Sequence, residues 1–357
     1  PKSTISGGQN NISSNEQSTV GGGLNNTASG QRSFVGGGQD NIASGSRSIV
    51  GGGQNNDAIA QLSFIGGGLN NTANGDRATI GGGFNNDAIS QFSTLSGGED
   101  NTTSGAHATV GGGDTNTASG SKSTVSGGEN NTSTDTHTTV GGGSGNDATN
   151  DYSTISGGQN NTASGVRSFV GGGLGNTASS TLSVVAGGES NTAGGTLSTA
   201  SGYQAGTSRW GQFAHSSGRF SSNGDAQYCR YIVRTATTDA TANVELFLDG
   251  TGGINTITIP EGTAYQFHIY ITSIQQTGNN AKSSEITGLI RRESGQNATI
   301  VGQHTDGNKT FNDGGFTPSY TVSADTTNQA LKIDVTGIAA TNIHTVATVD
   351  ITEVKYA

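Results

Sequence analysis

One spacing constrains this chain more than any other feature: an aliphatic residue recurs every fifteenth position for thirteen repeats without a break. A glycine pair follows each aliphatic residue, and an asparagine lies six positions after it. A fixed short period predicts a solenoid, in which every repeat forms one rung and stacks on its neighbours. The aliphatic series is Ile5, Val20, Val35, Val50, Ile65, Ile80, Leu95, Val110, Val125, Val140, Ile155, Val170 and Val185.

The repeat template predicts two short β-strands in each rung. From Ser18 to Arg32 it is Ser-Thr-Val-Gly-Gly-Gly-x-Asn-Asn-Thr-Ala-Ser-Gly-x-x, with the serine and the valine on one face of the first strand and the alanine in the second. The glycines supply turns with positive φ. The fixed asparagine predicts a ladder of side-chain amides, with a solvated turn asparagine as the alternative. The representative repeat positions are Val20, Gly22, Gly23, Asn26, Ala28, Val35, Asn41, Val50 and Asn56.

The thin interior of such a rung predicts that several chains associate. Each rung offers one aliphatic residue and one alanine, and the single cysteine, Cys229, leaves no intrachain disulfide to brace the fold. We interpret Cys229 as a small buried apolar residue. Thirteen rungs stacked at about 4.8 Å give a rod of roughly 60 Å. We therefore predict a homotrimer in which the aliphatic side chains of three chains meet on a common axis.

Charge and hydropathy exclude several partners. The 357 residues carry a formal net charge of −10, and the lysines and arginines form no basic run, which argues against binding to nucleic acid or to an anionic membrane. No stretch of about 18 apolar residues occurs, so no membrane insertion is predicted. The chain opens on Pro1 inside the repeat and lacks methionine, which indicates a processed chain or a fragment.

The motif Ser-Thr-Val-Gly-Gly-Gly-x-x-Asn-x-Ala resembles the head repeat of trimeric autotransporter adhesins, the YadA-like roll, which recurs in bacteriophage tail fibres. The resemblance covers about residues 1 to 220. It departs from the adhesin version in its Gly-Gly-Gly run and its regular asparagine. The resemblance implies a left-handed parallel β-roll and a trimer.

Two other classes of repeat protein fit the sequence less well. Calcium-binding β-rolls use nine-residue repeats with an aspartate after the glycines, where this chain has asparagine. Ice-binding solenoids need an unbroken threonine array, and here Phe34, Ile49, Phe64, Phe169 and Val184 interrupt it.

Aromatic residues gather where the repeat decays, after Ala200 and Gly206. Large apolar residues at this point predict a cap that closes the end of the rod. Binding of a sugar ring by the same aromatic faces is the alternative. The candidate residues are Tyr203, Trp210, Phe213 and Phe220.

The remaining residues alternate in the manner of an antiparallel β-domain, which predicts a sandwich of jelly-roll type. The join at 211–227 and the segments Tyr231-Ile-Val-Arg-Thr-Ala-Thr-Thr and Glu245-Leu-Phe-Leu-Asp-Gly resemble the distal domain of phage tail fibres. The predicted divisions are a β-roll shaft over 1–200, a capping neck over 201–224 and a tip domain over 225–357. The predicted strands are Gln227–Thr235, Asn243–Leu248, Ile254–Ile259, Tyr265–Ile274, Glu285–Arg291, Ala298–Gln303, Ala330–Val335 and Ile343–Val354.

No catalytic motif assembles in the sequence. The six histidines lack metal-ligand spacing, and carboxylates such as Glu245, Asp249, Glu261 and Glu285 are dispersed. We therefore predict no enzyme, no cofactor and no metal. The predicted function is a trimeric fibre of a phage-like virion that attaches to a cell-surface receptor, a glycan or a protein. The alternatives are a bacterial surface adhesin, which would be extracellular, and a structural fibre without a ligand.

Overall fold

The computed structural model describes residues 2–278, 280–306, 310–313 and 315–355, which form an all-β protein. The chain divides into two compact units, Pro1–Asn176 and Thr177–Ala357. Counted over both units, the coils number about 14 turns of parallel β-solenoid, which confirms the solenoid and its fifteen-residue rungs. In the described residues no helix is long and apolar enough to cross a membrane.

The first unit consists of two-residue strands that alternate between two parallel ladders. Odd-numbered strands pair with odd-numbered neighbours and even with even, at an offset of one rung, as in Thr79 with Thr94 and Ala73 with Ala88. The strands are β1 (Thr4–Ile5), β2 (Ile12–Ser13), β3 (Thr19–Val20), β4 (Thr27–Ala28), β5 (Phe34–Val35), β6 (Ile42–Ala43), β7 (Ile49–Val50), β8 (Asp57–Ala58), β9 (Phe64–Ile65), β10 (Thr72–Ala73), β11 (Thr79–Ile80), β12 (Asp87–Ala88), β13 (Thr94–Leu95), β14 (Thr102–Thr103), β15 (Thr109–Val110), β16 (Thr117–Ala118), β17 (Thr124–Val125), β18 (Thr132–Ser133), β19 (Thr139–Val140), β20 (Asp147–Ala148), β21 (Thr154–Ile155), β22 (Thr162–Ala163) and β23 (Phe169–Val170).

The interior of each rung is closed within one chain. Val20, Ala28, Ser18 and Asn26 are all 0% exposed, and the same four positions are buried in nearly every later rung. The expectation that the aliphatic side chains of different chains meet on an axis is therefore wrong, because these side chains already contact the second ladder of their own coil. The homotrimer itself stays a prediction, and its contacts must come from the outer surface.

The asparagine ladder runs through the interior. The side-chain amide of Asn116 donates to the carbonyl oxygens of Gly112 at 3.0 Å and Gly128 at 2.8 Å. Its Oδ1 accepts from the backbone N–H of Asn131 at 3.0 Å and from the Asn131 side chain at 3.1 Å. Each asparagine thus bonds two turn carbonyls, one of which also accepts a backbone N–H, as Gly128 O does from Asp114 at 2.9 Å.

The second unit opens with further coils and then reverses direction. Strands β24 (Thr177–Ala178), β26 (Thr192–Ala193) and β28 (Gly206–Thr207) form one parallel ladder, and β25 (Val184–Glu189), β27 (Thr199–Tyr203) and β29 (Phe213–Ser217) form the other. The last coil advances by 14 residues, pairing Thr199 with Phe213. Strand β30 (Ala226–Thr237) then pairs with β29 in the antiparallel sense.

The rest of the second unit contains two antiparallel sheets. The order of the larger sheet is β30, β39 (Ile343–Lys355), β33 (Thr263–Gln275), β34 (Ala281–Arg292) and β35 (Thr299–Thr305), with β36 (Phe311–Asn312) also on β34. The smaller sheet comprises β31 (Val244–Glu245), β32 (Ile257–Thr258), β37 (Ser319–Asp325) and β38 (Ala330–Thr336). The jelly-roll arrangement and the left-handed coil stay predictions.

All eight predicted segments overlap a strand, and the sequence missed β36 and β37. The strand Ser-Tyr-Thr-Val-Ser-Ala-Asp has only one fully buried residue, Val322, so its alternation is weak in composition. It is held by seven residue pairs with β38, from Ser319–Thr336 to Asp325–Ala330. Cross-strand pairing rather than local propensity therefore makes it a strand.

A pair of carboxyl groups in the smaller sheet predicts a loss of stability with rising pH. Glu245 lies directly across from Asp334. Burial raises the pKa of Glu245 to about 7 from an ordinary 4.5, with Lys332 opposing the shift. The folded chain therefore holds this proton more tightly than the unfolded chain, so the free energy of unfolding falls between about pH 4.5 and 7. We expect Glu245→Gln to flatten this slope in urea unfolding measured at several pH values. The matched control is Glu293→Gln at an exposed carboxylate, and an equal flattening there would contradict the assignment.

Candidate functional site

The outer face of the larger sheet brings charged and aromatic side chains of the second unit together. Alternate residues of β30, β33 and β39 point away from the core, and the register aligns them in rows across the strands. One row contains Arg230, Asp350, His268 and Thr287. The rows on either side are Tyr228, Thr352, Gln266 and Leu289, and Ile232, Thr348, Tyr270 and Glu285.

An arginine, a carboxylate and a tyrosine form a network on this face. Arg230 donates from Nε to Asp350 Oδ1 at 2.7 Å and from Nη2 to Oδ2 at 3.0 Å. The Tyr228 hydroxyl donates to the same Oδ1 at 2.5 Å. The hydrogen bond from Arg230 lowers the pKa of Asp350, so this carboxylate is charged at neutral pH. The network presents one fixed anion and the remaining guanidinium donors to solvent.

A second cluster lies beside it and combines an aromatic face with a carboxylate. The rings of His268 and Tyr270 are stacked with centroids 4.3 Å apart. His268 Nε2 contacts Glu285 Oε1, and the Tyr270 hydroxyl lies 3.3 Å from His268 Nδ1. Glu285 is 8% exposed although its row faces outward, so its carboxyl is screened from bulk water.

Two adjoining surface depressions lie beside these residues. The first has a volume of about 220 Å³ and the second about 620 Å³, and both are lined by Gln266 and Thr287. The first is also lined by Tyr228, Phe267, His268, Asp350, Ile351 and Thr352, and the second by Gly288, Leu289, Gly302, Gln303 and His304. On the inner side of the sheet, a Cβ on Gly288 would lie 2.3 Å from Phe267 Cζ, so this glycine leaves room for the buried Phe267 ring. In the described part of the chain, no three His, Cys, Asp or Glu residues are grouped to hold a metal ion.

The four aromatic residues predicted at the end of the repeat lie elsewhere. Tyr203 is 42% exposed, Phe213 40% and Phe220 75%, while Trp210 is half-buried. No ring contact joins any two of them among the described residues. A single chain therefore does not bury them as a plug, and both the cap and the sugar contact stay predictions for these residues.

The chain buries a polar cluster near the neck that sequence reasoning missed. Arg209 is 7% exposed, donates from Nη1 to the Tyr231 hydroxyl at 3.2 Å, and lies 5.6 Å from the Tyr265 ring centroid. Cys229 is fully buried, accepts a hydrogen bond from Gln212 at 3.2 Å, and has its pKa raised to about 12 by burial. These contacts tie the neck to the larger sheet, and the thiol stays protonated and inert.

The sequence offered one signal for the outer-face site. The polar residues Tyr228 and Arg230, and Gln266, His268 and Tyr270, follow one another at every second residue, and the residues between them are apolar. Such spacing places them on one exposed face of each strand. Sequence alone does not show that β30, β39 and β33 are neighbours. The position of Asp350 between Arg230 and His268 could therefore not be predicted from it.

No protein-family model and no curated protein matches the sequence. Among solved structures, the chain is similar to the tailspike protein of Acinetobacter baumannii phage AM24, with 11% identity, a TM-score of 0.27, and coverage of 97% of this chain and 69% of that one. It is also similar to the gp49 tailspike of A. baumannii phage Fri1, with 10% identity, a TM-score of 0.27, and coverage of 94% and 61%. The tailspike of Acinetobacter phage vB_ApiP_P1 gives 9% identity, a TM-score of 0.21, and coverage of 97% and 81%.

One of these structures corrects an expectation from the sequence. The Fri1 tailspike is described as a capsular polysaccharide depolymerase. The prediction that this chain is no enzyme is therefore contradicted and is withdrawn. That prediction depends on the dispersal of carboxylates along the sequence, and dispersal in sequence does not prevent strands from bringing carboxyl groups together, as the pairing of Glu245 with Asp334 shows.

Proposed function

We propose that the chain is the shaft and tip of a trimeric receptor-binding fibre of a phage-like virion, and that the tip binds a surface glycan on the outer face of its larger sheet. The observation that carries the proposal is the row of Arg230, Asp350 and His268 flanked by exposed tyrosines. The solenoid and the resemblance of the neck segment to phage fibres support the virion rather than the bacterial surface as its location.

The chemistry of this face suits a carbohydrate. Aromatic rings such as Tyr270 pack against the apolar face of a sugar, while fixed carboxylate and guanidinium groups bond its hydroxyls. Tyr270 is 45% exposed and Tyr228 37%. Their hydroxyls are already oriented by His268 and Asp350, so little side-chain entropy is lost on binding. Three tips on one fibre would add avidity to a weak single site.

Removal of one aromatic face tests the site. We expect Tyr270→Ala to weaken binding of purified capsular or lipopolysaccharide glycan at least tenfold, the order of a lost buried aromatic contact of about 1.4 kcal/mol or more. The measurement is surface plasmon resonance on a panel of such glycans, supplemented by an assay for newly released reducing ends.

The matched control is Phe220→Ala, which removes an exposed aromatic residue from the neck without touching the sheet. Full binding by Phe220→Ala and weak binding by Tyr270→Ala would support the outer face. The reverse pattern would place the site at the neck. No binding by the folded wild-type assembly to any glycan of a susceptible host would contradict the glycan receptor.

A further inference from the structure

Because the solenoid interior is closed within each chain, association between copies must use the outer surface. On the outer surface of the first unit, cationic and acidic side chains are segregated. Each rung has two turns, one leading from the odd-numbered ladder to the even-numbered one and one leading back. They lie at opposite edges of the coil. We name the edges by the residues that project from them in successive rungs.

The cation edge is built by the last residue of each rung. All of these residues adopt positive φ, for example Arg77 at 58° and Lys122 at 58°, which fixes them at one corner of the turn. Between residues 2 and 176 the chain has six lysines and arginines, and five of them lie at this single position, together with both histidines. The cation edge is Gln17, Arg32, Arg47, Leu62, Arg77, Phe92, His107, Lys122, His137, Tyr152 and Arg167.

Side chains of the cation edge stack on one another along the coil. Arg77 lies 5.1 Å from the centroid of the Phe92 ring, which stacks on His107 at 4.7 Å. His137 stacks on Tyr152 at 4.9 Å, and Arg167 lies 5.7 Å from the Tyr152 ring. No ion pair within the described residues involves these cations. Four carboxylates on the same turns, Glu16, Asp76, Asp135 and Asp151, offset part of the positive charge.

The opposite edge is acidic and contains no lysine or arginine. Its two positions per rung are the bridge residue and the following residue of positive φ, such as Glu99 with Asp100. Its carboxylates are Asp40, Glu99, Asp100, Asp114 and Glu129. Beside it lies the middle glycine of each turn, where a Cβ on Gly37 or Gly52 would meet nothing within 4 Å. We call the row of these middle glycines the glycine floor. It borders the acidic edge and leaves space for another molecule.

The two edges match in five rungs, and the rungs that end in Arg32, Arg77 and Arg167 carry no carboxylate at the acidic edge. The rung that holds Asp40 ends in Arg47, the rung of Asp114 ends in Lys122, and the rung of Glu129 ends in His137. The rung of Glu99 and Asp100 ends in His107, and the rung with an exposed Phe84 ends in Phe92. Copies related by rotation about an axis parallel to the coil face each other at equal height, so Asp40 would meet Arg47, Asp114 would meet Lys122, and the two phenylalanines would meet.

We propose that the cation edge of one copy packs against the acidic edge and glycine floor of the next. The same heterologous interface, repeated between successive copies, closes the homotrimer into a ring. This inference rests on the proposed homotrimer and names its contact surface. Long arginine and lysine side chains reach across the glycine floor to carboxylates of the next chain. Such charge-matched contacts set register and partner choice more than raw affinity, which suits a rod whose identical rungs would otherwise slip.

A charge swap within one rung tests the interface. Asp114→Lys and Lys122→Glu lie at opposite edges of the same coil, so they cannot contact each other within one chain. We expect each single variant to weaken assembly about tenfold or more, and the double variant to recover it, because opposite charges again face each other between copies. The measurement is the concentration at which the assembly dissociates, by analytical ultracentrifugation at low and high salt. The control is Asp57→Lys, on the even-numbered ladder outside both edges.

Crosslinking separates failure of this surface from failure of the homotrimer. The double variant Asp114→Cys and Lys122→Cys, treated with a short bifunctional maleimide, should give covalent rings on a denaturing gel, since native Cys229 is fully buried. A trimer by mass without crosslinks would overturn the proposed edges and leave the trimer intact. A native mass of 35.7 kDa would overturn the homotrimer itself. A monomer that binds an anionic polysaccharide such as alginate, and loses it in Lys122→Glu, would reassign the cation edge to a polymer ligand.

Discussion

Replacement of Asn116 by aspartate should unfold the solenoid at markedly lower denaturant concentration. The Asn116 amide donates to two glycine carbonyls from a site that is 0% exposed. A carboxylate at this position would face both carbonyl oxygens and carry a buried charge. Two lost donors and the buried charge together should cost about 3 kcal/mol or more. Urea unfolding followed by circular dichroism measures the change.

The matched control is Asn130→Asp, which makes the same chemical change at an exposed turn position of the neighbouring rung. Asn130 has φ of 54°, a conformation that aspartate tolerates nearly as well as asparagine. We expect its effect to stay within about 0.5 kcal/mol. Equal destabilisation by the two variants would show that the ladder does not carry the stability assigned to it.

The same substitution at two adjacent glycines should change stability to very different extents. Gly53 has φ of +88°, and a Cβ there would lie 2.1 Å from the Gly68 carbonyl oxygen of the next rung. Gly53→Ala therefore combines backbone strain with a clash between rungs and should cost about 3 kcal/mol or more. At Gly52 a Cβ meets nothing within 4 Å, so Gly52→Ala should leave the unfolding of the single chain nearly unchanged. Thermal unfolding of both variants at a concentration where the chain is monomeric measures this contrast.

The Gly52→Ala variant also reports on the outside of the coil. If its unfolding matches the wild type while its assembly weakens, another chain approaches the glycine floor closely. Unchanged assembly would move the contact away from the floor, to the side chains of the acidic edge alone. A large loss of single-chain stability would contradict the open space seen beside this residue.

Prediction from sequence succeeded where a local pattern repeats. Because the period of fifteen is unbroken, the two strands of a rung could be located around Val20 and Ala28, and a ladder predicted at Asn26, without knowledge of the fold. The ladder of asparagines followed from the same regularity, since identical residues at a fixed offset stack on one another. In the second unit, alternation located all eight predicted strands at least in part, but it missed the two-residue β36 and also β37, whose composition is polar.

The wrong prediction of a shared axis shows a limit of inference from the sequence. One aliphatic residue and one alanine per rung looked too little to bury, because the count overlooked Ser18 and Asn26 as interior residues. Coiling brings the aliphatic residue, the alanine, the serine and the asparagine of a rung together. Hydrogen bonds of the asparagine then take the place of buried apolar area. The lysines and arginines of the first unit were likewise visible in the sequence, but only the turn geometry shows that five of them share one edge.

The sequence by itself determined the rung, because each coil depends on residues that are close in the chain or exactly one period away. Only the tertiary structure decided the outer-face site. Arg230 and Asp350 lie 120 residues apart and meet through the pairing of β30 with β39, which no local propensity encodes. Long-range strand pairing is selected by the packing of whole sheet faces, so residues that share its surface become neighbours only once the sheet has formed.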